Sequence, residues 1–374
     1  MAVEAEEMVL VDAGRLEQFV VDCFRFCGLD EKDAREAMEV LIKADITGVD
    51  SHGVPRLRNY VQRLRTGTAK AHPDVHIVHE LASTAVVDGD EGLGMVVGRR
   101  AMEIAIGKAE KTGAGFVSVR NSSHFGIAGF YARMALEHDM IGISSTNVGA
   151  GGGTPPTGGR TGMFGTNPIA VAVPTKTDPP WVMDFATSVV AAGKLQIAAR
   201  RGHDVPLGWI MDREGNLTTK VADRGGGGYI LPIGGLRETG GHKGYGLMTL
   251  VDILTGVLSG ASIGANMAKL SAAGSQAEGA RPIGMAGNTG HFFGAMRIDG
   301  FRPVDEFKEA MDEMCRVIRS SERLPGWDRI YTHGEIDWET EIDRRANGIP
   351  LDVPTYESLQ AISIELEVPL NIKI

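Results

Sequence analysis

From Gly115 to Val119 apolar and small residues alternate as in a buried strand, and from Phe130 to Leu136 apolar residues return at helical spacing. The changeover is filled by Asn121-Ser122-Ser123-His124-Phe125-Gly126, which places His124 in a strand-to-helix loop. Loops at strand ends are favoured ligand sites in layered α/β folds, and an imidazole titrates close to neutral pH. A loop histidine also serves simply to cap backbone groups. The residues that join it must decide between the two.

Apolar residues recur at helical intervals from Leu16 to Cys27, with Gly28 as the stop, and again from Ala34 to Ile42 after an Asp30 cap. Strand patterns occupy the centre of the chain: Val75 to Asp88, Ile141 to Asn147, Phe164 to Pro174 as a turn entering a strand, Trp181 to Ser188 as a strand ending in a carboxylate and hydroxyls, Val205 to Asp212 and His291 to Ile298. Helical patterns return at Val304 to Ile318, Glu335 to Ala346 and Tyr356 to Leu366. The pattern predicts an α/β (mixed) fold: a central mixed sheet, with a helical lobe formed by the N- and C-terminal segments. Approximate boundaries are 1–75 plus 300–374 for the lobe and 76–299 for the sheet domain. Gly149 to Gly153 reads as a flexible loop, and the Ala-, Gly- and Ser-rich stretch 264–290 as a loop or lid with some helix.

The 374 residues are 43% hydrophobic with a net charge of -10, enough apolar material for a sizeable core and no basic stripe for nucleic acid or an anionic membrane. Cys23, Cys27 and Cys315 neither pair evenly nor show zinc spacing, so they read as core thiols in a reducing cytoplasm. The acidic start Met1-Ala2-Val3-Glu4 is unlike a signal peptide, and no apolar run is long enough to span a membrane.

Three further clusters carry chemistry. Asp50-Ser51-His52-Gly53-Val54-Pro55-Arg56 leads into a helix, so Ser51 and His52 fall near a helix N-terminus, and Arg56 one turn on can reach the same anion. An ordinary cap with a solvated arginine fits the same residues. Asp184 ends an apolar strand, where a carboxylate needs a partner: a histidine, or the N-terminus of the next helix. Gly240-Gly241-His242-Lys243-Gly244 opens an apolar helix, and Lys243 there suits a phosphate or carboxylate as well as plain solvent. Gly92-Leu93-Gly94-Met95-Val96-Val97-Gly98 has its last glycine one place too late for a dinucleotide fingerprint.

In order along the chain, Ser51-His52-Gly53, Ser122-Ser123-His124-Phe125-Gly126, Gly165-Thr166-Asn167-Pro168, Asp184-Phe185-Ala186-Thr187 and Lys243-Gly244-Tyr245-Gly246-Leu247 resemble the type-2 malate/L-lactate dehydrogenase family. Leu207-Gly208-Trp209, Leu231-Pro232-Ile233-Gly234-Gly235 and Asn347-Gly348-Ile349-Pro350-Leu351 extend the likeness over nearly the whole chain. The resemblance implies a non-Rossmann NAD(P)-binding fold, a homodimer, and hydride transfer between nicotinamide (NAD or NADP) and a 2-hydroxy/2-oxo acid, malate- or lactate-like. An NAD(P)H-dependent reductase of a cyclic imino acid, or a ureidoglycolate-type substrate, is the alternative within it. By resemblance, His124 and then His52 are the acid/base candidates, and Ser51 and Arg56 bind the substrate carboxylate. Thr146, Asp184, Phe185, Ala186, Lys243 and Gly244 then contact the cofactor. His333-Gly334-Glu335 matches a late cofactor contact usually written Pro-Gly-Glu, with His333 in place of the proline.

Elementary chemistry agrees with that reading. Reducing a 2-oxo acid needs a cation for the carboxylate, a donor for the developing oxyanion and a dry site. Asp184, besides touching cofactor, is a candidate to orient a histidine. A metal-dependent hydrolase is the first rival, on His72, His76 and His79, but Pro73 and the alternation after it make this stretch extended, where that spacing does not chelate. No metal site is expected. A non-catalytic binding protein is the second, and it leaves the two histidines and the serine-arginine pair without work.

Overall fold

The computed structural model describes residues 8–148, 153–200, 202–264 and 289–374. Most of the Gly149 to Gly153 loop and of the 264–290 stretch lies outside the described residues.

The chain begins with β1 (Met8–Val11) and α1 (Ala13–Phe26), whose Asp12 cap accepts the Arg15 N–H at 2.8 Å. Leu16, Phe19, Val20, Cys23 and Phe24 form its buried stripe, and Gly28, at φ 99°, reverses the chain into α2 (Glu31–Ile46). Two short 3-10 turns, Asp50–His52 and Val54–Arg56, then precede α3 (Leu57–Arg65). Ser51 and His52 therefore stand in the turns ahead of the helix rather than in its first turn.

The sheet region contains β2 (His76–Glu80), β3 (Thr84–Asp88), α4 (Gly94–Thr112), β4 (Ala114–Ser122), α5 (Ala128–Met134), β5 (Met140–Thr146), β6 (Ile169–Val173) and β7 (Trp181–Phe185). Next come α6 (Ala192–Arg200), the two-residue strands β8 (Ile210–Met211) and β9 (Leu217–Thr218), α7 (Val221–Gly225), β10 (Tyr229–Ile230), α8 (Gly241–Asp252) and β11 (Thr289–Arg297). The chain closes with α9 (Val304–Arg319), α10 (Glu335–Asn347), β12 (Ile349–Asp352) and α11 (Val353–Leu366). The strand expected from Val205 to Asp212 shrinks to β8, because Pro206 and Gly208 interrupt its ladder.

Seven strands pair in the order β2-β3-β4-β11-β5-β6-β7, with only β3 and β4 parallel, joined by α4 as the crossover helix. This is a mixed sheet, not the parallel sheet of a doubly wound fold. Val117 and Val119 of β4 are buried in the core beside α4, while Ser118 on the opposite face donates to the Leu254 carbonyl beyond α8. Helices thus cover both faces. Gly94 shows why the glycine-rich turn is no phosphate fingerprint: it lies within the first turn of α4, and a Cβ there would stand 2.1 Å from the Ser123 carbonyl oxygen. Its job is close packing beneath the His124 loop.

At the termini β1 and β12 pair antiparallel, and α11 packs against α1 and α3. The helix α9 is held instead by the turn between β6 and β7, where Asp312 accepts the Lys176 and Thr177 N–H groups at 2.9 Å. One continuous apolar core joins the terminal helices to the sheet, and a smaller cluster of Val190, Leu195, Val205, Ile210 and Ile230 lies under the β8–β10 ladder.

The candidate active site

Strand register decides where the sequence motifs meet. Ser122 pairs with Thr289, Thr146 with His291, Ser145 with Ile169, and Ile169 with Phe185. The C-terminal ends of β4, β5 and β7 therefore share one edge of the sheet with the starts of β11 and β6. His124, Thr146, Asn167 and Asp184-Phe185-Ala186, scattered over the sequence, line up along that edge.

The terminal lobe brings His52 to the same place. The rings of His52 and His124 stack, with centroids 5.6 Å apart and planes 26° from parallel. Tyr60, buried on α3, sets its hydroxyl 2.7 Å from His124 Nδ1, and the Gly126 N–H donates to the same nitrogen at 3.2 Å. An Nδ1 that accepts carries no proton, so the network assigns the proton of the neutral ring to Nε2. Ser51 Oγ lies 2.9 Å from His52 Nδ1, and Arg56 donates from Nε to the Ser51 carbonyl at 2.7 Å, which leaves its Nη donors for an anion.

Burial and then the Arg56 charge hold the His52 imidazole down at about 4. The same causes, in the same order, push His124 well below the usual histidine value, with smaller contributions from His52, Arg63 and His291. Both rings are neutral at pH 7, the form in which an imidazole accepts a proton.

Asp184 does not orient a histidine: its Oδ2 accepts the Gly129 N–H at 2.7 Å, in the first turn of α5. It caps a helix, although one that precedes it in the chain. Gly129 is required there, since a Cβ would come within 2.8 Å of that oxygen. Part of Asp184 faces solvent, yet its carboxyl sits deep enough that burial, then the Asp337 charge, raise it to about 6. Asp184→Ala should lower stability by about 1 kcal/mol in urea unfolding while Asp184→Asn, which keeps an acceptor, costs clearly less. Equal costs would reject the cap.

Two residues escape a reading of the sequence alone. Tyr60 looks like one more apolar position of α3, though its place four residues after Arg56 puts both on one helical face. His291 looks like a core residue of a strand. It is 0% exposed and bridges two strand ends, with Nε2 2.8 Å from Ser122 Oγ and Nδ1 2.8 Å from Thr146 Oγ1. Phe125 stacks on it at 4.7 Å, so His291 also carries the residue next to His124. Burial lowers His291 to about 3. The unfolded chain then binds a proton near pH 6.5 that the folded chain refuses, so this group's stability is present above that pH and is lost as pH falls toward 3. The loss should be about 2 kcal/mol between pH 7 and pH 5, read from urea midpoints. An acid dependence in His291→Gln equal to that of the wild type would refute this assignment.

The residues at the edge also suit a dinucleotide. Ser145 Oγ and Asn167 Oδ1 are buried polar atoms without a hydrogen-bond partner among the described residues. Asn167 Nδ2 donates to the Met248 carbonyl at 3.0 Å, tying the edge to α8, whose first turn holds exposed Lys243 beside buried Gly244. Unfilled acceptors, and a lysine without an ion pair among the described residues at a helix N-terminus, are what a polar, anionic cofactor needs. His333-Gly334-Glu335 is not brought into this group. The His333 carbonyl accepts the Val182 N–H at 3.0 Å near the opposite end of β7, and Glu335 Oε2 accepts the Thr332 N–H at 2.9 Å. A cavity of about 800 Å³ between α2, α4 and α5, and one of about 580 Å³ between α6 and α7, lie away from the histidine pair; the chemistry, not the size of a hollow, marks the site.

A family profile described as malate/L-lactate dehydrogenase matches residues 11–360. Malate dehydrogenase from Pyrococcus horikoshii is 45% identical over 359 residues, 96% of each chain. L-sulfolactate dehydrogenase from Methanocaldococcus jannaschii is 36% identical over 350 residues, 94% of this chain and 95% of that one. The solved structure of the Pyrococcus horikoshii OT3 malate dehydrogenase superposes with a TM-score of 0.86 at 42% identity, covering 99% of both chains. Fold and relatives define an NAD(P)-dependent hydroxyacid dehydrogenase. The chain belongs to the malate/L-lactate dehydrogenase family.

Proposed function

We propose that the protein interconverts malate, or a close analogue carrying a second anionic group, with its 2-oxo acid. The observation that carries an anionic substrate is Arg56 beside the stacked histidine pair, its Nε on the Ser51 carbonyl and its Nη donors left for a carboxylate. A planar guanidinium grips a carboxylate with two parallel hydrogen bonds. The names of the relatives agree, as malate and sulfolactate both carry two acidic groups.

The bound nicotinamide supplies or accepts the hydride. The chain does the rest. Arg56 holds the carboxylate beside the carbon that reacts, and His124 Nε2 holds the proton at the substrate oxygen. In hydroxy-acid oxidation the imidazole, kept neutral by its depressed pKa, takes the hydroxyl proton, and the substrate carboxylate beside it offsets the weaker basicity. In reduction the substrate's own negative charge raises the imidazole's affinity for a proton, which then meets the developing oxyanion. Tyr60 and Gly126 fix the ring, and His52 shields one of its faces from water. Thr146, Asp184, Phe185, Ala186, Lys243 and Gly244 would hold the cofactor, with Ser145 and Asn167 added to them.

The division into a lobe of 1–75 plus 300–374 and a cofactor domain of 76–299 is part of this reading, supported by the β1–β12 ladder, although α9 within that span rests on the β6–β7 turn of the sheet domain. So are a homodimer, for which exposed apolar side chains such as Leu250, Ile253 and Val257 speak, and a cytoplasmic location, favoured by three free cysteines.

Loss of the reduced-nicotinamide absorbance, followed with oxaloacetate, sulfopyruvate, pyruvate and a cyclic imine, each with NADH and with NADPH, tests the proposal. The dianionic acids should give kcat/KM at least about tenfold above pyruvate, the worth of one extra charge-assisted contact. Equal values, or preference for the imine, would overturn it.

A further inference from the structure

We infer that Asp45 is a positioning residue for the reaction, its carboxyl serving as the post around which the Ser51–Arg56 loop is wound. The inference rests on the dehydrogenase reading of that loop, and its grounds are geometric.

Asp45 stands in the last turn of α2 and is 1% exposed. Gly48, at φ 83°, turns the chain back, so that the residues after it pass over the helix end they have just left. One carboxyl oxygen, Oδ2, accepts the Val54 N–H at 2.9 Å. The other, Oδ1, lies against Gly53, where a Cβ would stand 1.8 Å away. Val54 and Gly53 are thereby fixed in bond and in contact, and the Arg56 N–H closes the next turn onto the Gly53 carbonyl at 2.9 Å. His52 and Arg56 flank this anchored pair.

A carboxyl held in such a place is costly. Burial pushes Asp45 well above the usual carboxylate range, and the Asp50 charge adds to the effect. Oδ1 is buried without a hydrogen-bond partner among the described residues. Such an expense, from a group that touches neither histidine ring, calls for a return, and the loop it shapes is the one that stacks His52 on His124. Arg344 of α10 grips the same corner from outside, donating to the Asp45 carbonyl and to the Asp50 carboxylate.

Four variants of the full-length chain test the inference: D45A, D45N, G53A and D45A/G53A. The readouts are kcat and KM, NADH binding by fluorescence, and the imidazole Hε1 NMR signal of His52, assigned by its loss in His52→Gln. D45A should lower kcat/KM about 100-fold, the cost of an ångström-scale misplacement, and move the His52 signal, with NADH affinity unchanged. D45N keeps the acceptor for Val54 and should return to within about threefold of wild type. G53A should lose activity by collision with the carboxyl, and D45A/G53A should be more active than G53A, because the collision partner is gone. Three results would each overturn the inference: wild-type kcat/KM with an unmoved His52 signal in D45A, equal loss in D45N and D45A, or no relief of G53A by D45A. If the wild type turns over no 2-oxo acid, it is the functional reading that fails. The His52 signal still decides the role of Asp45.

Discussion

Replacing His124 by alanine should lower turnover of the preferred 2-oxo acid about a thousandfold, within the roughly 10²–10⁴ that a general acid supplies, while NADH binding changes little and the urea midpoint falls only by what the buried Tyr60 hydroxyl loses with its partner. The expectation follows from where the ring is held. Its Nδ1 is taken by Tyr60 and Gly126, so Nε2 is the nitrogen left to exchange a proton with substrate. His124→Gln should do no better, since an amide donates a hydrogen bond but transfers no proton. Tyr60→Phe gives a milder defect, because the Gly126 N–H still holds the ring. Should His52→Ala cost more than His124→Ala in kcat, the two roles are exchanged, and the stacked partner is the acid.

Removing Arg56 should have the second largest effect, and it divides into two measurable parts. Arg56→Ala takes away a charge-assisted, two-pronged contact with the carboxylate, so KM for the 2-oxo acid should rise about 10- to 100-fold. The pH profile moves as well. Arg56 depresses both histidines, so without it their pKa values rise toward 6.5. Hydroxy-acid oxidation needs the neutral ring, and its kcat/KM falls on the acid side of that pKa. In the wild type that limb, set by His124, lies well below the usual histidine value. In Arg56→Ala it should shift upward. Arg56→Lys keeps the charge without the planar fork, so KM should rise while the limb stays in place. A raised KM with an unmoved limb in Arg56→Ala would show that Arg56 binds substrate without tuning the histidines.

Much of this was legible in the chain because it is local. The stripes of α1 and α2, the strand-to-helix loop around His124, and the Ser51-His52 and Arg56 spacing are set by neighbours a few residues apart. What escaped depends on pairing between distant segments. His291 meets Ser122 and Thr146 only because β11 is laid between β4 and β5, and nothing in an alternating strand distinguishes such a histidine from core. Asp184 invited pairing with a histidine, but the placement of α5 over β7 delivers it to Gly129. Gly94 and Gly98, whose spacing only ruled out a dinucleotide fingerprint, lie inside α4, where Gly98 makes room for the Tyr131 ring. Local pattern named the site; strand order assembled it.

The central claim is that hydride passes between nicotinamide and a 2-oxo acid while His124 handles the proton. Nicotinamide cofactor carrying deuterium at C4 tests it most directly, with the hydroxy-acid product examined by NMR after turnover in ordinary water. Deuterium on the carbon that bore the oxo group, from whichever face of the cofactor carries the label, is the predicted result. Product bearing only solvent hydrogen at that carbon with both cofactor epimers, or cofactor left unoxidised by every 2-oxo acid supplied, would contradict the account.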